Sequence, residues 1–247
     1  MLAEERIAKI IAIIEDEGSV TVQRLMDELG ASESTVRRDL VNMDAKGLVT
    51  KVHGGAVLKS NKINTKDEAV NNRKNLNLKE KVRIAKFAAN LISDDDFVYI
   101  DAGTTTELLI DYLSCKSAIF VTNSISAAKK LSDLGFRVYI LGGEFKSTTE
   151  AIVGEEAVVS LDKYNFTKGF WGTNGVNEKN GLTTPEIKEA MVKKKSMENC
   201  KDRYVLADAS KLGKISSVKF AEIDDVTILT SKITDSSLQK FKNIQEV

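Results

Sequence analysis

Residues 32 to 43 read Ser-Glu-Ser-Thr-Val-Arg-Arg-Asp-Leu-Val-Asn-Met, and this stretch predicts an amphipathic helix. Val36, Leu40 and Met43 recur at the spacing of a buried helical stripe, whereas the other face carries two adjacent arginines and short hydroxyl side chains. An arginine can grip a phosphate or the N7 and O6 edge of guanine with a fork of donors. Serine or threonine near a helix start can reach phosphate or base edges. The stretch therefore has the composition of a helix that reads DNA.

Two further helices are predicted upstream of this stretch. Ile10 and Ile14 fall in the apolar stripe of a first helix that ends near Asp16. Thr21 can cap a second helix, and Gly30 can end it. Because two helices joined by a turn of about four residues form a helix-turn-helix unit, the sequence predicts such a unit here.

A hairpin is predicted directly after the third helix. Apolar and polar residues alternate over residues 48–52, His53-Gly54-Gly55-Ala56 follows, and the apolar pattern resumes at Val57. Gly-Gly between two short strands is typical of a tight hairpin turn. The segment therefore predicts the wing of a winged helix-turn-helix domain.

The charge of residues 1–58 leaves a second interpretation open. This region holds seven lysines and arginines against ten aspartates and glutamates, so the strongly basic surface typical of nucleic-acid binding is absent. The alternative is a three-helix packing module without a DNA partner, but the order and spacing of the motifs favour DNA binding. His53 is equally explained as a hairpin residue chosen for turn geometry. The residues predicted to contact DNA are Ser32, Ser34, Thr35, Arg37, Arg38, Lys51 and His53.

Length and composition predict a cytoplasmic protein of two domains. The 247 residues allow a small domain, residues 1–58, and a larger one, residues 77–247, with enough chain for a substantial core. Residues 59–76 are rich in lysine, asparagine, aspartate and threonine, and we interpret them as a linker that is mostly solvated. The two cysteines have no paired spacing, so neither a disulfide framework nor a metal site is predicted, and no cofactor is expected. No stretch is apolar and long enough to predict a membrane span.

Residues 77–247 alternate between helical and strand patterns. The predicted strands are short, branched and apolar on both faces, which is typical of a mostly parallel sheet covered by helices. The larger domain is therefore predicted to be α/β. Helices are predicted at 78–92, 104–113, 125–134, 153–163 and 185–199, and strands at 97–101, 118–122, 137–141, 168–173, 204–208 and 226–230.

Polar and small residues follow five successive predicted strands. Ligands of open α/β sheets bind at the carboxyl ends of the strands, so we expect these residues to face one ligand. Residues 101–106, Asp-Ala-Gly-Thr-Thr-Thr, supply hydroxyls and exposed backbone amides that can hold a phosphate, and Lys211 adds positive charge. Glycine and threonine are also common turn and cap residues, so the prediction rests on their coincidence at successive strand ends. The predicted ligand residues are Asp101, Gly103, Thr104, Thr105, Thr106, Thr122, Asn123, Ser124, Gly142, Gly143, Glu144, Thr173, Asn174, Gly175, Asp208 and Lys211.

The chain resembles the DeoR family of bacterial sugar-operon repressors. The resemblance is carried by residues 34–40, Ser-Thr-Val-Arg-Arg-Asp-Leu, by His53-Gly54-Gly55-Ala56, and by the strand-end motifs at 101–106, 172–175 and 181–184. It implies a sensor domain similar in fold to ribose-5-phosphate isomerase, and a phosphorylated sugar effector that relieves repression at double-stranded operator DNA. It also implies a homodimer or homotetramer.

The resemblance marks further positions. It makes Arg73 a candidate for effector contact or signal relay, and the family tends to keep a lysine near Lys193-Lys194-Lys195, which is otherwise typical of a solvated helix face. The chain departs from the family pattern at Lys51, where arginine is usual, at Leu212, where an aromatic is common, and at Ser231, where aspartate is common. The first departure affects how the wing can contact DNA, and the second affects the shape of the pocket near Lys211. The third leaves no aspartate at the position where the family commonly has one.

Two functions remain in competition. The resemblance is closest to repressors of fructose-utilisation operons, which makes fructose 1-phosphate the first candidate effector and leaves tagatose 6-phosphate and other ketose or alditol phosphates open. The alternative is a sugar-phosphate isomerase or deaminase-like enzyme in which Asp101, Glu144, Asp208 or Lys211 serves as base or acid. We favour the regulator, because a simple isomerase has no use for a DNA-binding domain and the larger domain contains no histidine.

Overall fold

The computed structural model describes residues 3–17, 19–45, 48–58 and 63–247, without the side chains of residues 15 and 58. The chain forms two compact units that meet along the sequence near residue 61, and Asp235–Ser237 group with the smaller one. No helix among these residues combines the length and apolar character that a membrane crossing requires.

Three helices and a three-stranded antiparallel sheet form the smaller unit. Its elements are α1 (Ala3–Glu17), β1 (Ser19–Thr21), α2 (Val22–Leu29), α3 (Glu33–Ala45), β2 (Val49–Val52) and β3 (Gly55–Leu58). Ile14 and Leu40 are completely buried in its core. Thr21 Oγ1 accepts a hydrogen bond from the backbone N–H of Arg24 at 3.1 Å, and Gly30 ends α2 with a φ of 58°. The predicted helix-turn-helix is therefore confirmed.

The predicted hairpin is present, but its turn differs from the prediction. β2 and β3 pair antiparallel, and β1 pairs with the other edge of β3. The turn consists of His53 and Gly54, which has a φ of 83°, whereas Gly55 is the first residue of β3. A Cβ atom on Gly55 would lie 2.1 Å from the carbonyl oxygen of Val20 in β1. The second glycine thus serves the close approach of β1, a strand that the sequence did not predict, and not the turn.

The larger unit is built on a seven-stranded sheet. Its elements are α4 (Val70–Lys74), α5 (Leu78–Ala89), β4 (Phe97–Ile100), α6 (Thr104–Leu109), β5 (Ile119–Thr122), α7 (Ile125–Asp133), β6 (Arg137–Ile140), β7 (Glu144–Lys146), β8 (Ala151–Val153), α8 (Glu155–Ser160), β9 (Phe166–Gly172), β10 (Gly175–Asn177), β11 (Gly181–Thr184), α9 (Ile187–Glu198), β12 (Cys200–Leu206), β13 (Val218–Ala221), β14 (Thr227–Thr230) and β15 (Ile244–Glu246). The strand order is β15-β14-β12-β9-β4-β5-β6, and every neighbouring pair is parallel. The predicted mostly parallel α/β fold is therefore confirmed.

Both faces of this sheet are covered. Val98 and Ile100 of the inner strand β4 belong to one buried cluster, and Tyr99 between them belongs to another that includes Trp171. Successive side chains of a strand point to opposite faces, so a strand with two buried faces is apolar throughout. This explains why the strands of this domain appear in the sequence as short continuous apolar runs.

Several predicted boundaries are wrong. The helix predicted at 153–163 begins at Glu155, because the preceding residues form β8, which pairs with β7 in a small antiparallel sheet. A second small sheet, β10-β11-β13, was not predicted, and neither was β15. The strand predicted at 204–208 runs from Cys200 to Leu206, so Asp208 lies beyond its carboxyl end.

Residues 63–76, the connecting segment, pack on the larger unit. The Asp67 side chain forms an ion pair with Lys146 and is 5% exposed. Val70 is buried, and its backbone N–H donates to the carbonyl oxygen of Thr148 at 3.1 Å. Ten of the fourteen residues 63–76 are exposed, as predicted for a mostly solvated linker, but Asp67 and Val70 anchor the segment to the larger unit. The remainder of the predicted linker, residues 59–62, lies outside the described residues.

Candidate functional site

The start of α3 carries most of the residues predicted to contact DNA. The Ser32 hydroxyl lies 3.1 Å from Ser34 Oγ and 2.9 Å from Thr35 Oγ1. Ser34, Arg37 and Arg38 are exposed and share one helical face by their spacing. This face offers hydroxyl and guanidinium donors to solvent, which is the chemistry that contact with DNA requires.

The two arginines of this face differ in their partners. Arg37 forms an ion pair with Glu33 one turn earlier, with Nη2 2.7 Å from Oε1. Arg38 has no hydrogen bond or ion pair with another of the described residues. Asp39, by contrast, is buried and receives two hydrogen bonds from Arg6 of α1, at 2.5 Å from Nε and 3.1 Å from Nη2. This bidentate pair fixes α3 against α1 and leaves its neighbours facing solvent.

Lys51 and His53 are exposed in the hairpin. The backbone N–H of Lys51 donates to Asp44 Oδ1 at 3.2 Å, which ties the hairpin to the end of α3. The predicted DNA contacts thus lie on α3 and on the hairpin, the two elements that a winged helix presents to a duplex.

A cavity opens at the carboxyl ends of the parallel strands in the larger unit. Its walls come from the ends of β4, β9 and β12, from the connecting segment and α5, and from α9. Seven predicted ligand residues line it: Gly103, Thr104, Thr105, Thr173, Asn174, Asp208 and Lys211. The other lining residues are Arg73, Leu76, Asn77, Lys81, Ala102, Thr149, Gly172, Glu189, Lys193, Leu206 and Ser210.

Three cations of this cavity form no ion pair with a described residue. No carboxylate of the described residues lies within ion-pair distance of Arg73, Lys81 or Lys211. Lys81 Nζ instead donates to the carbonyl oxygen of Arg73 at 2.5 Å and to Thr104 Oγ1 at 3.1 Å. Arg73 Nε is buried without a hydrogen-bond partner among these residues. Because buried polar groups are normally paired, this cluster offers donors that a bound anion could accept.

The same crowding changes the acidity of the two lysines. Burial lowers the pKa of the Lys81 ammonium below its ordinary value, and the charges of Lys211 and Arg73 lower it further, against an opposing effect of Asp208. Burial likewise lowers the pKa of Lys211, where Asp208 again opposes the shift and Arg73 adds to it. A bound anion would favour the charged form of both groups.

Hydroxyls and backbone amides lie beside these cations. α6 begins at Thr104 directly after Gly103, so its first N–H groups have no partner within the helix. Thr104 and Thr105 are buried in the cavity wall. Together with the cations they offer the donors that the oxygens of a phosphate accept.

Asp208 is held in place by donors from two directions. Its Oδ1 accepts hydrogen bonds from Asn77 Nδ2 at 2.9 Å and from the backbone N–H of Ser210 at 3.1 Å. Glu80 Oε2 accepts from the backbone N–H of Ala209 at 3.0 Å and from Ser231 Oγ at 2.5 Å. Ser231, one of the departures from the family pattern, therefore helps to fix the loop that carries Asp208. Another departure, Leu212, packs in the core.

Asp101 lies beneath the cavity and not in its wall. Lys193 of α9 donates to the Asp101 carboxylate and to the carbonyl oxygen of Gly172, the latter at 3.1 Å. Complete burial raises the pKa of Asp101 even though Lys193 lies beside it. Lys193 also lines the cavity, but its charge is compensated by Asp101. In this it differs from Arg73, Lys81 and Lys211.

Glu189 brings a carboxylate to another part of the wall. Its Oε1 accepts from Thr149 Oγ1 at 2.5 Å and from Lys146 Nζ at 3.1 Å, and its Oε2 lies 3.3 Å from Thr184 Oγ1. Burial alone would raise the pKa of Glu189, but Lys193, Thr149 and Lys146 hold it below its ordinary value. This carboxylate is therefore ionised and can accept hydrogen bonds from ligand hydroxyls.

Several predicted ligand residues stabilise the strand ends instead of lining the cavity. Thr106 and Thr122 donate to backbone carbonyls, and Asn123 accepts from the backbone N–H of Ala102. Ser124 caps α7. The prediction that these side chains face the ligand is not supported by their placement, because their polar atoms are used within the fold.

Two groups of predicted residues are explained by other contacts. A Cβ atom on Gly175 would lie 2.4 Å from the carbonyl oxygen of Lys214, so this glycine allows two backbones to approach. Gly142, Gly143 and Glu144 do not line the cavity, and the Glu144 carboxylate forms an exposed ion pair with Lys188.

The sequence missed Lys81, Lys193 and Glu189 as members of the site. For Lys193 the residue pattern indicated a solvated lysine run, although the family resemblance marked a lysine nearby; Lys193 is buried while Lys194 is exposed. The signal lay in its buried neighbours: Val192, Ser196 and Met197 surround its position on the inner face of α9.

Comparisons with known families match both units. Residues 6–62 match the DeoR-like helix-turn-helix domain, and residues 76–236 match the DeoR C terminal sensor domain. The HTH-type transcriptional regulator FruR of Bacillus subtilis (strain 168) is 42% identical over 247 residues, which cover 100% of this chain and 96% of that protein. The lactose phosphotransferase system repressor of Staphylococcus aureus (strain NCTC 8325 / PS 47) is 34% identical over 239 residues, 95% of this chain and 94% of that protein.

Similar solved structures include ribose 5-phosphate isomerase A of Methanocaldococcus jannaschii, with 20% identity, a TM-score of 0.40 and coverage of 55% of each chain. They also include eIF2B delta of Chaetomium thermophilum, with 16% identity, a TM-score of 0.45 and coverage of 62% of this chain and 56% of that one. At this level of similarity, neither structure indicates what the cavity binds.

Proposed function

Because the chain belongs to the DeoR family of transcriptional regulators, we propose that it represses a sugar-utilisation operon and leaves its operator when a phosphorylated sugar binds. The smaller unit would bind the DNA and the larger unit the sugar phosphate. In this proposal residues 1–58 form the DNA-binding domain and residues 77–247 the effector domain. The connecting segment contributes Arg73 to the effector site.

The cluster of Arg73, Lys81 and Lys211 carries the proposal for the effector. Three cations that form no ion pair with a described residue line one cavity beside Thr104 and Thr105. A phosphate dianion would satisfy the cations and accept hydrogen bonds from the hydroxyls and amides. Glu189, Asn174 and Asp208 supply acceptors for sugar hydroxyls on the rest of the wall. An unphosphorylated sugar would leave the cations without a counter-charge.

The exposed face of α3 supports the proposal for DNA. Arg38 and the Ser32–Thr35 hydroxyl cluster are available to base edges and phosphates, and Arg37 can exchange its exposed pair with Glu33 for a contact with DNA. Lys51 and His53 would approach the backbone from the hairpin. Since residues 1–58 carry a net negative charge, binding should depend on specific contacts more than on a basic surface.

The names of the relatives narrow the class of sugar. One relative is named FruR and another is named as a repressor of a lactose phosphotransferase system, so both point to operons for sugar uptake and use. Fructose 1-phosphate remains our first candidate effector, and tagatose 6-phosphate is the next.

The proposed mechanism is a linked equilibrium. Two copies of the chain, as a homodimer or within a homotetramer, would place α3 of each copy in the major groove of one half-site. The effector can lift repression only through unequal affinity for the DNA-bound and free arrangements. The proposal assigns no catalysis to the cavity, and a turnover assay with pentose and hexose phosphates tests that part directly.

A thermal-shift panel of sugar phosphates on the full chain tests the effector. A ligand that binds only the native protein raises the free energy of unfolding by about 2.7 kcal/mol at 100 times its Kd. We expect fructose 1-phosphate or another ketose phosphate to raise the Tm, and free fructose to leave it unchanged. A panel in which no sugar phosphate changes the Tm at millimolar concentration would refute the proposed effector class.

A further inference from the structure

A ring of polar contacts joins the cavity to the connecting segment. Glu189 shares the Lys146 ammonium with Asp67, a residue of that segment. Asn174 Nδ2 donates to Asp67 Oδ1 at 3.5 Å, and Asn174 Oδ1 accepts from Thr184 Oγ1 at 3.2 Å. Thr184 Oγ1 also lies 3.3 Å from Glu189 Oε2, which closes the ring.

Two members of the ring line the cavity, and the others lie behind its wall. Glu189 and Asn174 are cavity residues, whereas Lys146 and Asp67 are not. The side chains of Asp67, Glu189 and Lys146 are 5%, 9% and 18% exposed. Burial strengthens the interactions among these charges, so a new hydrogen bond to one member changes the balance of the others.

The cavity therefore has two chemically different ends. The cationic end consists of Arg73, Lys81 and Lys211, and Asp208 is the anion that acts most strongly on the two lysines. The carboxylate end consists of Glu189 and its neighbours, which interact with Lys193 and Lys146 instead. A phosphate ion alone can satisfy only the first end, while a sugar phosphate can reach both.

Resting on the proposed function, we propose that the two ends have separate tasks. The cationic end holds the phosphate, and the carboxylate end binds the sugar hydroxyls and couples their binding to the connecting segment through Lys146 and Asp67. A hydroxyl that donates to Glu189 competes with Lys146 for the carboxylate, so Lys146 shifts its interaction toward Asp67. The segment that leads to the DNA-binding unit is then held more tightly. Inorganic phosphate reaches the segment only through Arg73 and lacks the second link through Glu189, Lys146 and Asp67.

Hydrogen exchange on the full chain tests the inference with two probes, fructose 1-phosphate and inorganic phosphate. At about 100 times Kd, amides whose opening requires ligand release exchange up to about 100-fold more slowly. Both probes should slow exchange in residues 103–107. Fructose 1-phosphate should slow the amides of Asn64 and Val70, which donate to Ile215 and Thr148, more than inorganic phosphate does, because phosphate reaches the segment through Arg73 alone. Equal slowing of these two amides by inorganic phosphate would overturn the inference.

Variants of the two residues behind the wall separate coupling from binding. In Asp67→Asn and in Lys146→Met, fructose 1-phosphate should still protect residues 103–107 but should protect Asn64 and Val70 no more than inorganic phosphate does, whereas Lys146→Arg should retain the additional protection. Asp162→Asn removes an exposed ion pair with Lys195 and serves as the matched control. Retention of the additional protection of Asn64 and Val70 in both Asp67→Asn and Lys146→Met would overturn the inference alone. Absence of protection anywhere in the unmodified protein, by any sugar phosphate, would overturn the proposed function with it.

Discussion

Lys193 of α9 forms an ion pair with Asp101, which directly follows β4, and only 6% and 1% of these two side chains are exposed. Asp101 Oδ2 also accepts the backbone N–H of Gly172 at 3.1 Å. The pair thus joins α9 to the ends of β4 and β9 at the base of the cavity. We therefore expect a substitution of this ion pair to change mainly the stability of the protein, and a substitution of the cationic cluster to change mainly ligand binding.

Replacing Lys193 by Met should destabilise the protein severely. The change leaves the Asp101 carboxylate buried without its partner, which costs about 3–5 kcal/mol of the free energy of unfolding, as urea denaturation would measure. Since burial raises the pKa of Asp101, protonation relieves the penalty and the deficit should shrink as the pH falls. Lys194→Met, at the exposed neighbouring position, should stay within about 0.5 kcal/mol of the unmodified protein. Equal stability of both variants would refute this role.

Replacing Lys211 by Met should weaken ligand binding without loss of stability. A hydrogen bond to a charged group contributes about 1.5–3 kcal/mol, so we expect the Kd for fructose 1-phosphate to rise by about 10- to 150-fold in calorimetric titration. Burial of an unpaired ammonium opposes folding, so the free protein should be as stable as before or more stable. Lys214→Met removes an exposed lysine nearby and should change neither quantity. A large loss of stability in Lys211→Met would contradict the view that this lysine serves to bind an anion and not to stabilise the fold.

Ligand affinity should pass through a plateau between two pH limits. Below about pH 6 the phosphate loses its second charge and binding should weaken. The upper limit should lie below 10.5, the ordinary lysine value, because burial lowers the pKa of Lys81 and Lys211 in the free protein. Between the lowered pKa values and 10.5 the unfolded chain binds more protons than the native protein, so these lysines should make stability rise with pH there. An affinity that stays constant up to pH 10.5 would contradict the lowered values.

The two carboxylates Glu189 and Glu144 should respond differently to the same substitution. Glu189→Gln replaces an acceptor of the cavity wall and should raise the Kd for fructose 1-phosphate while changing the Kd for inorganic phosphate much less. Glu144→Gln removes an exposed ion pair and should leave both affinities unchanged. Competition of unlabelled ligands against a fluorescent sugar phosphate would give both values. A matched loss of affinity for both ligands in Glu189→Gln would show that this carboxylate does not distinguish them.

Replacing Arg38 by Ala should affect DNA binding alone. We expect operator affinity to fall by about 1–3 kcal/mol if the side chain reads a base, or the salt dependence to decrease by about one ion if it contacts a phosphate. Arg37→Ala should act in the same direction. Lys9→Ala, on the exposed face of α1, is the control, and fluorescence anisotropy at several salt concentrations is the measurement. Unchanged operator binding in both arginine variants would place the DNA contact elsewhere.

The sequence predicted the larger features of the fold because they follow from periodic patterns. The stripe of Val36, Leu40 and Met43, the caps at Thr21 and Gly30, and the apolar strands all encode local structure. The strands β1, β7 and β8 were missed, since three-residue segments carry too little periodicity to stand out. Their positions depend on tertiary contacts such as the approach of β1 to Gly55.

The site was predicted in part, for a related reason. Residues directly after strands, such as Thr104 and Lys211, were found because strand ends share one edge of a parallel sheet. Lys81 and Glu189 lie on helices. The sequence does not distinguish a buried charged residue of a helix from an exposed one, because the buried face is decided by tertiary packing. Thr122 shows the converse case. It is the last residue of β5, where a ligand residue was predicted, but its hydroxyl donates to the carbonyl oxygen of Ile100.

Titration of a sugar phosphate into the complex of the full chain with its promoter duplex tests the central claim most directly. The promoter fragment upstream of the neighbouring operon, labelled with a fluorophore, reports bound protein by anisotropy. We expect fructose 1-phosphate, or another ketose phosphate, to release the duplex from the unmodified chain at a concentration that Lys211→Met shifts upward by about 10- to 150-fold. Release at the same concentration from both proteins, or a duplex that stays bound at saturating concentrations of every sugar phosphate, would contradict the account.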